Sequence, residues 1–265
     1  MGDNILTMIK VIELPIDKDM GGLTSYVLQL YRMIDKKEFE LTLLSYDDPQ
    51  NFDVNYNVET VSRPYHIIQF YKKMKCLLSE EKNIIHFHQS YVNIIPILIA
   101  KLAGFKTIIL HAHSSSIDDN RKIIRFLKTG LHKVGRFLLP YLVDTYIGCS
   151  TKASEWMFPR KCIDSDSYYL LHNAIDLDLY DRNINLGLEV RQKFNIPKDA
   201  LVVGHIGRFT PVKNHAFIID IFKEVLKQNP NSYLFLLGDG VERHKVESLV
   251  KLADISDKVI FMGYV

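Results

Sequence analysis

The fold class is indicated most clearly by residues 83–116, NIIHFHQSYVNIIPILIAKLAGFKTIILHAHSSS. It begins with a short apolar run, continues through a longer apolar segment from Val92 to Ala103 that Gly104 closes, and ends with a second apolar run. Glycine directly after an apolar helix is a common helix stop, because it adopts the left-handed conformation without a steric penalty. The stretch therefore predicts a strand, a helix and a second strand, the repeating unit of a parallel α/β sheet.

The same alternation extends along the rest of the chain. Further strands are predicted in MIKVIELPI (8–16), FELTLLSY (39–46), residues 59–64, DTYIGCS (144–150), LVVGHIGRF (201–209), SYLFLLGDG (232–240) and KVIFMGYV (258–265). Helices are predicted over residues 24–36, 66–80, 120–138, 189–194, 214–228 and 242–253. The pattern predicts two Rossmann-like domains with parallel sheets, the first in residues 1–170 and the second in 187–265, joined by a connection in 171–186.

The second predicted domain has few strands. Three follow the connection, whereas a doubly wound nucleotide-binding domain usually has about six. The last of them, an apolar run at the end of the sequence, would leave a sheet edge uncovered. We therefore expect a second domain that is incomplete. A small natural domain that pairs this edge with a partner chain is the alternative.

Composition excludes several classes of protein. The 265 residues are 47% hydrophobic and 24% charged with a net charge of +2, which is ordinary for a globular protein and too weakly basic to indicate nucleic-acid binding. No apolar run reaches the ~18 residues of a membrane-spanning helix, and the first 17 residues lack the pattern of a signal peptide. The three cysteines, Cys76, Cys149 and Cys162, are far apart and odd in number, so neither a disulfide framework nor a zinc site is expected. These features predict a cytoplasmic protein.

The segment GRFTPVKNH, residues 207–215, has the composition of an anion site. Gly207 ends a predicted strand, and a helix is expected to begin near Asn214. Ligands of open α/β sheets bind at the carboxyl ends of strands, where helix N-termini supply free N–H groups. Arg208 would add a bidentate guanidinium and Lys213 a point charge, so the segment predicts a diphosphate site rather than two solvated cations.

Two glycine-containing loops follow other strands. In DMGGLTSY (19–26), Gly21 and Gly22 would let a ligand approach the backbone at the start of a helix, although a plain tight turn explains them equally well. In GDG, an acidic residue lies between two glycines at a strand end, where it can line a nucleotide crevice or form a simple turn. The residues predicted for that crevice are Gly207, Gly238, Asp239 and Gly240.

Two His-x-His pairs end neighbouring strands, His86 with His88 and His111 with His113. Because side chains alternate along a strand, both members of a pair lie on one face of the sheet. The four could ligate a metal ion, as in a metal-dependent hydrolase. Against this, one member of each pair lies in an apolar run, as a packed core histidine would, and no carboxylate follows closely in the sequence. We expect no metal site.

The stretch from Asn120 to Pro140 contains six cations and no acidic residue. On a helix its apolar residues Ile123, Ile124, Leu127, Leu131, Val134 and Leu138 form one stripe, with Phe126 and Phe137 beside it and the cations opposite. A basic amphipathic helix over residues 121–138 is typical of attachment to an anionic membrane surface. An ordinary helix that packs on the core with a solvated basic face is the alternative.

Together these motifs resemble glycosyltransferase family 4, a family of retaining transferases with the GT-B fold. GGLTSYVLQLY (21–31) is similar to its N-terminal glycine loop, the two His-x-His strands to its central strands, and GRFTPVKNH with LFLLGDG (234–240) to its donor-site segments. The resemblance implies that Arg208 and Lys213 hold the donor diphosphate and that Gly21 and Gly22 approach the donor phosphates and the acceptor. It also implies that His113 lies near the reacting sugar.

The implied reaction is transfer of a sugar from a UDP- or GDP-sugar to a glycan or a lipid-linked acceptor, in capsule or exopolysaccharide synthesis. Retaining members work without a metal or another cofactor, since the nucleotide-sugar is itself a substrate. The sequence departs from the family by ending before the family's pair of glutamates that contact the donor sugar and ribose. We therefore expect little turnover from this chain, and a non-catalytic remnant remains an alternative.

Overall fold

The structure, a computed structural model, describes residues 8–17, 21–49, 52–78, 84–117, 119, 121–177 and 184–264. The chain divides into two compact units, Met1–Leu177 and Asp178–Val265. Each unit is built around its own parallel sheet.

The first unit contains a seven-stranded sheet in the order β3-β2-β1-β4-β5-β6-β7, in which all paired strands are parallel. Its strands are β1 (Ile9–Ile16), β2 (Phe39–Ser45), β3 (Val58–Thr60), β4 (Ile84–Gln89), β5 (Thr107–Ala112), β6 (Thr145–Gly148) and β7 (Tyr168–Leu170). Its helices are α1 (Gly22–Met33), α2 (Ile67–Leu77), α3 (Ile94–Ala103), α4 (Lys122–Leu142), α5 (Thr151–Met157) and α6 (Arg160–Ile163). This is the doubly wound order, in which the direction of winding reverses between β1 and β4.

Alternation along the strands builds one core on each face of this sheet. Ile12 and Leu14 of β1 belong to the larger core, which also contains the buried residues of α2 and α3. Val11 belongs to the smaller core beneath α1, and Glu13 shares its face because side chains two apart point the same way. The strand therefore carries a carboxylate into the interior.

The second unit contains a three-stranded parallel sheet in the order β10-β9-β8. Its elements are α7 (Ile184–Lys193), β8 (Leu201–Ile206), α8 (His215–Gln228), β9 (Ser232–Leu237), α9 (Arg243–Leu252) and β10 (Val259–Gly263). Phe209, Ile219, Phe222 and Leu234 are central to its main core. Both sheets confirm the predicted α/β class.

Helix α4 is longer than predicted, and its apolar stripe is divided between solvent and core. It continues through Pro140 to Leu142, although proline favours a helix end. Ile123, Leu127 and Val134 of the stripe are exposed, whereas Leu131 and Leu138 pack partly buried against the core. The fully buried residues of α4 are His132, Gly135 and Leu139. A close tertiary contact explains this burial, because a Cβ on Gly135 would lie only 2.4 Å from Cγ1 of Val92. The glycine lets α4 pack closely on that side.

Four other elements differ from the sequence prediction. Helix α7 begins at Ile184, inside the predicted connection, because the polar composition of that stretch favoured a loop. Helices α5 and α6 and the short strand β7 were not predicted from the sequence. Ser150 caps α5 through a hydrogen bond from the Ala153 backbone N–H, which is a recognisable helix-start pattern.

Candidate active site

The carboxyl ends of β1, β4 and β5 bring five polar side chains together at the point where the sheet reverses its winding. Glu13 of β1 is the register partner of His86 of β4, and His88 is the register partner of His111 of β5. His113 follows β5 directly. Within each His-x-His pair the ring centroids are 4.1 Å apart, as expected from the two-residue period of a strand.

Hydrogen bonds connect Glu13, His86, His88 and His113, whereas both ring nitrogens of His111 are buried without a hydrogen-bond partner among the described residues. Glu13 Oε2 lies 2.6 Å from His88 Nε2 and 3.0 Å from His86 Nδ1. His88 Nδ1 lies 2.8 Å from His113 Nε2. The ring of Tyr26 in α1 covers the group, with its centroid 5.2 Å from those of His111 and His113. The result is a carboxylate–histidine–histidine chain that leads from Glu13 to His113.

Burial and mutual interactions set the charge states. Burial alone raises the pKa of Glu13, but the His86 and His88 imidazoles outweigh it and lower that pKa to about 2. Burial and the neighbouring His86 lower the pKa of His88 to about 4, against the opposing effect of Glu13. Burial is also the main reason that the pKa of His113 falls to about 3 and that the pKa of His111 is strongly lowered. At neutral pH the cluster therefore contains an ionised Glu13 and neutral rings at His88, His111 and His113.

The cluster also offers nitrogen atoms to a metal ion. One ring nitrogen from each of His86, His88 and His111 lies within 4.8 Å of the others. Tetrahedral zinc with bonds of about 2.0–2.1 Å would bring its ligand atoms to within about 3.4 Å of one another. Because Glu13 already accepts hydrogen bonds from two of the three rings, we describe the cluster as a hydrogen-bonded network.

The two glycines before Tyr26 lie at the start of α1. Gly21 is the N-cap residue with an extended backbone, and Gly22 is the first helical residue. A Cβ on either glycine would meet nothing within 4 Å, and neither has a positive φ. Neither the backbone conformation nor packing in the described structure therefore requires glycine here, so these residues leave open space beside a helix N-terminus.

In the second unit, the segment from Gly207 to Asn214 joins β8 to α8. Arg208 and Lys213 are exposed, and neither makes an ion pair or a side-chain hydrogen bond with any residue that the structure describes. Phe209 between them is buried and stacks on the ring of His215 at 4.0 Å. Asn214, at a φ of 46°, turns the chain into α8. The buried Phe209 thus anchors a loop that presents two cations.

The GDG loop packs directly against this segment. A Cβ on Gly238 would lie 2.3 Å from the Gly207 carbonyl oxygen, and one on Gly240 would lie 2.6 Å from the Phe209 carbonyl oxygen. The Phe209 N–H also donates to the Asp239 carbonyl oxygen at 2.9 Å. The structure therefore brings Gly207, Arg208, Gly238 and Gly240 together at the carboxyl ends of β8 and β9.

Asp239 is occupied within its own loop. Its carboxylate accepts from the Gly240 N–H at 2.7 Å and pairs with Arg243 Nη1 at 2.9 Å. The backbone hydrogen bond from Gly240 is the largest cause that lowers its pKa, and Arg243 adds to it. The side chain that the sequence assigned to the nucleotide crevice thus caps its own turn.

The exposed face of α4 is apolar. Its large side chains at Ile123, Phe126, Leu127, Val134, Phe137 and Tyr141 are all exposed, and Phe126 is 78% exposed. On a helix these positions fall within about 100°, so they form one continuous stripe. The exposed Lys122 and Lys133 lie along one edge of it. Among the described residues, no helix is long and apolar enough to cross a bilayer.

Comparison with protein families places both units in one class. The family model described as Glycosyltransferase Family 4 matches residues 20–179, more than half of the chain. The model described as Glycosyl transferases group 1 matches residues 188–265. With the two parallel sheets, these matches define a glycosyltransferase of the GT-B type. The chain belongs to glycosyltransferase family 4, and the resemblance stated from its motifs is confirmed.

Its relatives are named as glycosyltransferases. EpsF of Bacillus subtilis (strain 168) is 25% identical over 272 residues, which cover 96% of this chain and 68% of EpsF. The UDP-Gal:alpha-D-GlcNAc-diphosphoundecaprenol alpha-1,3-galactosyltransferase of Escherichia coli is 21% identical, over 88% of this chain and 62% of that enzyme. The chain thus spans about two thirds of the length of these relatives.

Solved structures share the fold. The crystal structure of Anabaena Alr3699/HepE in complex with UDP and glucose superposes with a TM-score of 0.76, at 14% identity, over 98% of this chain and 70% of that one. The crystal structure of WaaG, a glycosyltransferase involved in lipopolysaccharide biosynthesis, gives a TM-score of 0.65 at 13% identity, over 97% of this chain and 70% of that one. At such identities the likeness shows the fold alone.

Glu13 and Tyr26 of the first unit were not identified as site residues from the sequence. Glu13 precedes His86 by 73 residues, so searching near the histidine pairs for a carboxylate could not find it. Its signal was a lone acidic residue inside the apolar strand IKVIELPI, where an unpaired charge is costly. Tyr26 was noted only as part of the glycine loop. The roles of His113, Arg208 and Lys213 remain predictions.

Proposed function

We propose that this chain takes part in the transfer of a sugar, with retention of configuration, from a UDP- or GDP-sugar to a glycan or lipid-linked acceptor in the synthesis of a capsule or exopolysaccharide. Its second unit binds the donor diphosphate, and its first unit supplies the acceptor site and His113. The nucleotide-sugar is a substrate, so the proposal includes no metal and no other cofactor. Nucleic acid is not a partner.

One observation carries the proposal. Arg208 and Lys213 are exposed cations without an acidic partner among the described residues, and they are held on a loop whose central residue, Phe209, is buried. Such cations at the carboxyl ends of parallel strands suit a bound diphosphate, because guanidinium and ammonium groups form strong charge-assisted hydrogen bonds with phosphate oxygens. During transfer, negative charge develops on the leaving diphosphate. The same two side chains would stabilise it.

The names of relatives support a nucleotide-sugar donor. The Escherichia coli relative is named for a UDP-Gal donor and a diphosphoundecaprenol-linked acceptor, and the Anabaena protein was crystallised with UDP and glucose. Those descriptions apply to those proteins. They make UDP the first nucleotide to test here and a lipid-linked glycan the first acceptor.

Thermal stabilisation by nucleotides tests the donor site. UDP, GDP, ADP and CDP are added in turn to the full chain, and its unfolding temperature is measured. A ligand that binds only the folded state at 100 times its Kd stabilises by about 2.7 kcal/mol. We expect one of these nucleotides to raise the unfolding temperature and Arg208→Ala with Lys213→Ala to abolish the increase.

The matched control removes two other exposed cations of the same unit, Lys198 and Lys251, and should leave the increase unchanged. His113→Ala should also leave it unchanged, because His113 belongs to the first unit. If the double variant at Arg208 and Lys213 responds like the wild type, the diphosphate assignment is wrong.

We also propose that the exposed stripe of α4 attaches the enzyme to an anionic membrane surface at the cytoplasmic face of the inner membrane, where a lipid-linked acceptor is accessible. An apolar stripe with lysines along one edge matches such a surface in both hydrophobicity and charge. The large exposed rings of Phe126 and Phe137 would enter the lipid, while Lys122 and Lys133 would remain near the headgroups.

Co-sedimentation with vesicles tests the attachment. We expect binding to vesicles that contain phosphatidylglycerol and little binding to vesicles of phosphatidylcholine alone. Phe126→Ser with Phe137→Ser should release the protein, whereas Leu102→Ser with Leu252→Ser, which changes equally exposed apolar residues on other helices, should not. Equal binding by all variants would contradict the assignment to α4.

A further inference from the structure

Glu13 is an ionised carboxylate enclosed in the interior of the first unit. It is 1% exposed, and its two oxygens lie within hydrogen-bond distance of His86 Nδ1 and His88 Nε2. A carboxylate without a proton can only accept hydrogen bonds. The facing nitrogens of both histidines must therefore carry protons, because a nitrogen lone pair at 2.6 Å (His88 Nε2) or 3.0 Å (His86 Nδ1) from the anion would be repelled by it.

This requirement fixes the proton on His88. A neutral imidazole has one N–H and one bare nitrogen, and which nitrogen is bare follows from the hydrogen bond that the other makes. The lowered pKa of His88 keeps its ring neutral at pH 7. Since Nε2 carries the proton that Glu13 accepts, Nδ1 of His88 is an acceptor.

The hydrogen bond between His88 and His113 fixes the protonated nitrogen of His113 in the same way. His88 Nδ1 lies 2.8 Å from His113 Nε2, so His113 must donate from that nitrogen. The neutral ring of His113 then has a bare Nδ1, and no residue in the described part of the chain forms a hydrogen bond with that atom. His113 is partly exposed, whereas His86, His88 and His111 are buried.

We infer that Glu13 and His88 are positioning residues that hold the His113 proton on Nε2, so that His113 Nδ1 accepts a hydrogen bond from a sugar hydroxyl. The identity of the hydroxyl as that of a sugar rests on the proposed function. The direction of the hydrogen bonds does not, since it follows from the geometry of Glu13, His88 and His113. Tyr26 packs against the rings of His88 and His113 and restricts their rotation.

Nitrogen-15 NMR of the histidine-labelled full chain tests the inference. Couplings between ring nitrogens and ring protons distinguish a protonated nitrogen from a bare one, and a coupling across the hydrogen bond identifies its two partners. In the wild type we expect His113 to be protonated on Nε2 alone and coupled to His88 Nδ1. A wild-type His113 that carries its proton on Nδ1 would overturn the inference without any variant.

Two variants of Glu13 separate its charge from its shape. Glu13→Gln keeps the length of the side chain but offers both a donor and an acceptor. His88 Nε2 can then accept from the amide, so that His88 Nδ1 donates and His113 Nε2 accepts. A hydrogen bond to a charged acceptor is about twice as strong as a neutral one, so we expect the tautomer ratio of His113 to change roughly tenfold. Glu13→Asp keeps the charge and should preserve the wild-type tautomer even where it lowers stability.

His132→Gln is the control, because His132 is a buried histidine of the same unit that accepts from the Val92 N–H outside this cluster. It should leave the His113 signals unchanged. If Glu13→Gln leaves the tautomer ratio of His113 unchanged, the inference is wrong. Nucleotide stabilisation of the wild type separates the two proposals. A wild-type His113 protonated on Nδ1 together with normal nucleotide binding overturns only this inference. The expected wild-type tautomer without nucleotide binding overturns only the proposed function.

Discussion

Glu13 lies in the interior of the first unit with two histidines hydrogen-bonded to it, whereas Arg208 and Lys213 lie on the surface of the second unit with no acidic partner among the described residues. Both regions lie at the carboxyl ends of parallel strands. They nevertheless meet opposite physical requirements. A buried charge must be paired by its own chain, because an isolated one is too costly to desolvate. An exposed cation remains solvated, so it can stay unpaired until a ligand binds.

The difference indicates how each region contributes to transfer. In the interior cluster the Glu13 carboxylate is paired by His86 and His88, so this region acts by orienting His113. The surface loop leaves its cations available, so it acts by binding.

Removing the buried Glu13 carboxylate should cause the largest loss of stability. In Glu13→Leu the N–H groups of His86 and His88 lose their acceptor, and each buried donor left without a partner costs about 1–3 kcal/mol. Urea unfolding followed by the fluorescence of Trp156, the single tryptophan of the sequence, reports on the first unit. Glu40→Leu is the control, since Glu40 pairs with Lys10 at 3.6 Å on the surface and should cost less than about 1 kcal/mol. Equal losses in both variants would contradict the role of burial.

Replacing glycine with alanine should have opposite effects on stability at Gly240 and at Gly22. Gly240 has a φ of 154°, and a Cβ there would lie 2.6 Å from the Phe209 carbonyl oxygen, so Gly240→Ala should cost about 2 kcal/mol. Gly22→Ala meets nothing within 4 Å at the start of a helix and should stabilise by up to about 1 kcal/mol. Hydrogen exchange of β9 amides measures the first effect, and Trp156 fluorescence in urea measures the second. A large loss at Gly22 would mean that this glycine serves the fold rather than a ligand.

The smallest expected effect is that of metal removal. Glu13 holds His86 and His88 by hydrogen bonds, so dialysis against EDTA should change the unfolding temperature by less than about 1 °C. Elemental analysis of the purified chain checks the same point. Stoichiometric zinc that copurifies, together with a fall in unfolding temperature on chelation, would show that the histidines form a metal centre.

Local patterns predicted most of this fold. The strand and helix alternation around residues 83–116 led to the parallel sheets, and the two-residue period correctly placed each His-x-His pair on one face. Both features depend on neighbours in the sequence. The segment from Gly207 to Asn214 was placed correctly between β8 and α8 for the same reason.

The features that sequence reasoning missed depend on distant contacts. Glu13 meets His86 only because β1 and β4 are adjacent in the sheet, and no local pattern specifies that adjacency. The fully buried side of α4 is chosen by the contact of Gly135 with Val92, which the helix's own apolar stripe does not specify. Asp239 turned towards Arg243, four residues later, because α9 begins there.

We propose that Arg208 and Lys213 bind a diphosphate, and calorimetry with matched nucleotides measures this binding directly. The nucleoside diphosphate that stabilises the chain is compared with its own monophosphate on the wild type and on Arg208→Ala with Lys213→Ala. Each hydrogen bond to a charged group contributes about 1.5–3 kcal/mol, so the wild type should bind the diphosphate at least about tenfold more tightly, and the double variant should lose that preference. A double variant that keeps the full preference for the diphosphate would contradict the account.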